Sequence, residues 1–103
     1  MTTLHFLHDF YRALSDLPVH EKDKIYAHLT LLREGEVGAL TIKTLRGGIQ
    51  ELIVHRYRLI FFKSGEAIYF VSLFKKQSQK TPLRIIRKAE AIYKTFKQLP
   101  WKN

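Results

Sequence analysis

Cysteine is absent from this chain of 103 residues. That removes disulfides, thiolate zinc sites and cysteine nucleophiles together, and it fits a cytosolic protein. No apolar run approaches the roughly 18 residues that a membrane span needs. The first charged residue is Asp9, so the basic-then-apolar opening of a signal peptide is missing. A soluble, cytoplasmic protein with no membrane partner is the expectation. Prolines are few and read as punctuation: Pro18 separates two helical patterns, Pro82 opens a third, and Pro100 follows it. There is no internal repeat and no low-complexity stretch. Enzyme signatures are also missing: no G-x-G-x-x-G, no P-loop and no H-E-x-x-H. Ser15, Ser64, Ser72 and Ser78 sit in no local nucleophile motif, and Gly47-Gly48 reads as a turn signal only. His5 and His8 are too weak a pair for a metal site, so no metal or other cofactor is expected.

Acidic residues are the scarcest charged class. The chain carries 18 lysines and arginines against nine acids, a formal charge of +9. The asymmetry is sharper than the total. Residues 1–42 hold four basic residues against six acids, net −2, whereas residues 43–103 hold fourteen against three, net +11. Nine of those fourteen fall between Lys75 and Lys102. A basic half joined to a mildly acidic half is the footprint of a polyanion-binding face. Nucleic acid is the first candidate, with an acidic protein or a membrane surface as alternatives.

What is present suffices for one domain, residues 1–103, with a single modest core. Apolar residues make up 46% and aromatics 13%, which argues against disorder. Phe6, Leu7, Phe10, Tyr11 and Leu14 recur at one-face spacing, which predicts a helix from Leu4 to Ser15. A second helix follows Pro18 and runs to Glu34, burying Ile25, Leu29 and Leu32, with Tyr26 beside them. Gly35 and Gly38 then end it and begin a loop. Residues 49–76 change character. Ile49 to Val54, Tyr57 to Phe62 and Ala67 to Phe74 are rich in β-branched and aromatic residues and predict three strands. His55-Arg56 and Ser64-Gly65 are the turns between them. Thr81-Pro82 then starts a helix: the threonine can cap a free amide, and proline fits the first helical position. Ile85, Ile86, Ala89, Tyr93 and Phe96 form its apolar stripe, as far as Gln98. The fold class is α+β: an antiparallel meander of about three strands, with one face against two N-terminal helices, plus a C-terminal helix.

The candidate chemistry is cationic. Lys75, Lys76 and Lys80 crowd the exit of the third strand with no carboxylate among them, and such lysines repel one another unless an anion is near. Arg56 and Arg58 flank Tyr57 at strand spacing, so both arginines share a face while Tyr57 and Leu59 take the other. The middle strand neighbours the third, which lets these groups converge on a phosphate. Solvated edge charges that protect the sheet are the alternative reading. RNA carries its own nucleophile, the 2′-hydroxyl, so a site that cleaves it needs cations for the developing charge and groups to move two protons. Crowded lysines suit proton transfer if their neighbours lower their pKa. His55 is the histidine near this region, either as an acid or base or as a hairpin residue.

Three blocks then resemble a family: Leu45-Arg46-Gly47-Gly48-Ile49-Gln50-Glu51-Leu52, Tyr57-Arg58-Leu59-Ile60-Phe61-Phe62, and Phe74-Lys75-Lys76 through Lys80-Thr81-Pro82. Their order and spacing are similar to those of RelE/HigB-type toxins of bacterial toxin–antitoxin pairs. The phage-derived branch, with "L-x-G-G-x-x-E-L-R", "Y-R-I-x-Y-F" and "F-x-K-K-x-x-K-T-P", is the nearest pattern. The resemblance implies a RelE-like, microbial-ribonuclease-like fold and a metal-independent endoribonuclease that cleaves mRNA on the ribosome. It also implies a cognate antitoxin, of helix-turn-helix type. By position it assigns Arg58, Lys76 and Lys80 as catalytic, and with the basic face it marks Arg46, Arg56, Lys75 and Arg84 as RNA-binding. The chain departs from the pattern at Ile53, where the family has arginine, and near Pro82, where some members carry a tyrosine. The family's first strand is expected to be shortened or absent before the Leu4–Ser15 helix. A non-catalytic nucleic-acid-binding module and a ParE-like DNA gyrase inhibitor are the alternative functions.

Overall fold

The computed structural model describes residues 2–77 and 80–99; Ser78 and Pro100, read above, lie outside the described residues. Strand β1 (Thr3–Phe6) leads into helices α1 (His8–Ser15) and α2 (Val19–Arg33). Strands β2 (Thr41–Arg46), β3 (Ile49–Val54), β4 (Tyr57–Ser64) and β5 (Ala67–Lys75) follow, and helix α3 (Leu83–Lys97) comes last. The sheet order is β1-β5-β4-β3-β2. The α+β class and the β3-β4-β5 meander are as the sequence predicts.

Three expectations need correction. The sheet has five strands rather than three, and it is mixed, because β1 pairs parallel with β5 through Leu4↔Ile68 and Phe6↔Phe70. Residues 4–6 therefore leave the predicted first helix. Phe6 has the right spacing for that helix, but its ring packs on Phe10 and Phe70 from the strand, and pairing with β5 satisfies its backbone. The second addition is β2, which lies in the stretch read as loop. It is an edge strand whose Ile42 and Leu45 are only half-buried among exposed polar neighbours, so its alternation is weak in sequence.

The third correction is that helices cover both sheet faces. α1 and α2 close one core around Phe10, Leu14, Ile25, Leu29, Leu52, Leu59, Phe61 and Phe70. α3 closes the other over Ile49, Ile60, Phe62 and Val71, with Ala89 buried at its centre. Strand alternation creates this division: Leu59 and Phe61 face one way and Ile60 and Phe62 the other. The apolar run of β4 reads continuously because both of its faces are buried. A bulge at Val71 adds one residue to β5, since Ile60 pairs with Ser72 and Phe61 with Phe70.

α3 also has polar anchors. Arg46 at the end of β2 grips Glu90 with two bonds, Nε to Oε2 at 2.9 Å and Nη2 to Oε1 at 2.5 Å. Lys88 pairs with Asp9 at the start of α1. The hydrogen bond from Arg46 holds the Glu90 carboxyl below its ordinary range, and Lys88 does the same for Asp9. Depressed carboxylate values stabilise above the unfolded-state pKa, and that contribution disappears as pH falls through the folded value. α3 should therefore exchange its amides faster relative to β4 at pH 3 than at pH 6, and Glu90→Gln should remove part of that difference. An unchanged ratio of α3 to β4 exchange would refute the anchoring role.

Candidate functional site

The site forms where the exits of β3 and β5 meet the start of α3. Lys43 and Glu51 are cross-strand partners on β2 and β3, and paired residues point to the same face. That is the face under α3, because Glu51 alternates with Leu52 and Val54 of the opposite core. Arg58 reaches the same face from β4, opposite Ile53 and Phe74. The chain leaves β5 with the Lys76 amide donating to the Arg56 carbonyl at 2.8 Å, which seats Lys76 beside the β3–β4 turn. Lys76, Lys80, Lys43, Glu51 and Thr81 line one cavity of about 210 Å3, with Leu45 and Ile86 as its apolar walls.

Glu51 is the hub. It is 1% exposed, the sole buried charged residue among those described. Its Oε1 accepts a hydrogen bond from the Thr81 hydroxyl, and its Oε2 lies 3.9 Å from Arg58 Nε. Arg58 is itself largely buried, with its side chain 14% exposed. Its Nη1 donates to the carbonyls of His55 at 2.8 Å and Tyr57 at 3.0 Å. The buried Nε has no hydrogen-bond partner among the described residues.

Thr81 does not cap α3 as its sequence suggests. Pro82 is the N-cap, there is no side-chain cap bond, and the hydroxyl is spent on Glu51. A charge-assisted bond to a buried carboxylate outweighs a cap to a half-exposed amide. The consequence is positional: Thr81 ties the segment carrying Lys80 against the sheet.

Arg56 is exposed in the turn, outside β4. Lys75 is exposed and shares the opposite face with Tyr57, its cross-strand partner, so Lys75 and Lys76 diverge. Tyr57 itself is core. Arg46 is committed to Glu90. Arg84 lies on the first turn of α3 beside a second cavity. His55 holds the first position of the two-residue turn with φ of 56°, a left-handed conformation that few side chains other than those of Asn, Asp and His adopt readily. Its ring lies 6.4 Å from that of His28. His5 stacks on Tyr69 at 4.8 Å.

Sequence reading passed over Glu51 and Lys43 as site residues. Glu51 stood in a recognised block without a role, and Lys43 could be placed only once β2 was known to pair with β3. Gly48 was passed over too. A Cβ there would overlap the Tyr93 ring, 2.8 Å from its Cζ, so this glycine lets α3 approach the β2–β3 turn. Among the described residues no helix is long and apolar enough to cross a membrane.

The family model described as phage derived protein Gp49-like matches residues 12–94. The fold is that of RelE. The structure superposes on the archaeal RelE–RelB complex from Pyrococcus horikoshii OT3 with a TM-score of 0.63, at 16% identity, over 77% of this chain and 98% of that one. The RelB–RelE antitoxin–toxin complex from Methanococcus jannaschii gives 0.60, at 21% identity, over 89% and 98%. The RelBE2 toxin–antitoxin complex from Mycobacterium tuberculosis gives 0.51, at 19% identity, over 75% and 93%. No functionally curated protein matches the sequence.

Proposed function

The chain belongs to the phage-derived Gp49-like family, and from that premise we propose that it is the toxin of a toxin–antitoxin pair, an endoribonuclease that cuts mRNA on the ribosome. The observation that carries this reading is the meeting of Lys76, Lys80 and Lys43 around one cavity, with Arg58 tied to the same Glu51. Four cationic side chains, two from strands β2 and β4 and two from the segment after β5, answer a phosphate that gains charge during reaction.

The reaction needs no metal, because the nucleophile belongs to the substrate. The 2′ oxygen attacks the adjacent phosphorus, the bond to the 5′ oxygen breaks, and a 2′,3′-cyclic phosphate and a 5′-hydroxyl result. The Arg58 guanidinium holds a phosphate oxygen through the transition state. Lys76 and Lys80 flank the phosphate; one ammonium donates to the leaving 5′ oxygen, and water takes the 2′ proton. Glu51 is too buried to meet the 2′-hydroxyl, and it acts by holding Arg58 and the Lys80 segment in place. Arg56, exposed on the adjoining turn, steers the RNA by its charge.

The complexes of the solved neighbours support an antitoxin as the protein partner, of helix-turn-helix type by the motif resemblance. Expression without the antitoxin should produce new mRNA 5′ ends within ribosome-covered reading frames. Arg58→Ala and Lys76→Ala should each lower that cleavage about 10²–10³-fold. Growth arrest with intact mRNA and a DNA-damage response would replace this reading with gyrase inhibition. Intact mRNA and no arrest would leave a non-catalytic binder.

A further inference from the structure

The first turns of α3 separate two cavities. Thr81 and Ile86 wall the first, described above. The second, about 460 Å3, is lined by Asp9, Ser72, Phe74, Arg84, Ile85 and Lys88. Its size falls in the range of small-ligand pockets, and its composition is distinctive. Arg84 makes no ion pair or side-chain hydrogen bond among the described residues, Phe74 and Ile85 offer half-buried apolar surface, and the Ser72 hydroxyl adds a polar group.

Lining residues of both cavities follow one another along β5 and its exit. Ser72 pairs with Ile60 and Phe74 with Arg58, so Ser72, Phe74 and Lys76 form one row on the face that α3 covers. That row spans about 13 Å at strand spacing, within reach of one or two nucleotides of a single strand. We infer that the second cavity is a subsite for the RNA nucleotide flanking the cleaved linkage. Arg84 and Lys88 take its phosphate, and its base lies against Phe74 and Ile85. A flanking nucleotide must leave the first cavity in some direction, and this path is cationic, has an apolar wall and runs along the same strand row. Asp9 sits against it. The carboxylate occupies Lys88 and repels an incoming phosphate, so this subsite is partly masked by the protein's own acid.

The inference rests on the RNA reading above, and its test separates the two. Two oligoadenylates, a dinucleotide and a tetranucleotide, carry 2′-fluoro sugars throughout to prevent cleavage. Their affinities are measured for the full chain and for Lys76→Gln, Arg84→Gln and Asp9→Asn. Expected is a tetranucleotide bound about tenfold more tightly than the dinucleotide. Arg84→Gln should lower the tetranucleotide affinity far more than the dinucleotide affinity and so abolish that advantage. Asp9→Asn should enlarge the advantage by freeing Lys88, a gain that a purely structural role for the pair would not produce. Lys76→Gln should weaken both ligands. If Arg84→Gln and Asp9→Asn leave the tetranucleotide affinity untouched while Lys76→Gln lowers it, the subsite is refuted and the RNA site stands. If the full chain binds neither oligonucleotide, both fall.

Discussion

Glu51→Ala should destabilise the protein by about 3–5 kcal/mol in chemical denaturation, the largest effect expected of any polar substitution here. The carboxylate is 1% exposed and faces a guanidinium that is itself largely buried. Removing it strands a charge whose Nε already lacks a hydrogen-bond acceptor among the described residues. It also frees the Thr81 hydroxyl and with it the Lys80 segment. The loss arises from the unpaired partner more than from the attraction between the two, since buried pairs roughly offset their own desolvation. The double variant Glu51→Leu, Arg58→Met should therefore recover most of the lost stability without recovering cleavage. If the double variant is as unstable as Glu51→Ala alone, the stranded-charge explanation is wrong. If Glu51→Ala is fully stable, Glu51 is not the hub of the site.

The second large effect concerns packing. Gly48→Ala should lower stability by about 1–3 kcal/mol, because the added methyl would occupy the place of the Tyr93 ring edge. That ring stacks on Phe62 at 4.7 Å, and Phe62 is fully buried, so Tyr93 cannot withdraw toward the sheet. It must swing out or take α3 with it. The adjacent Gly47 offers a control with a different mechanism. Gly47 has φ of +55° and open space around its Cβ position, so alanine there costs only backbone strain, about 1 kcal/mol. Trimming the ring in Gly48→Ala, Tyr93→Leu should restore part of the stability lost at position 48 and none of that lost at position 47. Equal losses for the two alanine variants, with no rescue by Tyr93→Leu, would mean that α3 does not depend on this close approach.

The two cases mark what can be read before folding and what cannot. The helix over Val19–Arg33 was legible because Ile25, Leu29 and Leu32 bury one stripe after a proline, and each of those facts is local. The strands of the meander were legible because β-branched and aromatic residues fill runs of six to nine residues between short turns. β1 was not. Its four residues acquire strand geometry from β5, more than sixty positions away, and their own spacing favours the helix. β2 failed for a related reason, since an exposed edge strand has one partner and little apolar patterning to announce it.

The same division runs through the site. The amino-acid sequence by itself determined the inventory: a basic second half, Arg58 on a strand, Lys76 and Lys80 at a strand exit, and the three blocks of the family pattern. These are properties of residue type and short spacing, which the chain carries folded or not. Only the tertiary structure decided which cations meet. It turned Lys75 to the opposite face from Lys76, spent Arg46 on Glu90, drew Lys43 in from a strand that sequence reading had missed, and placed a buried carboxylate at the centre of them all. Convergence depends on register between strands and on where α3 begins, and both are fixed by long-range pairing and by packing on two sheet faces.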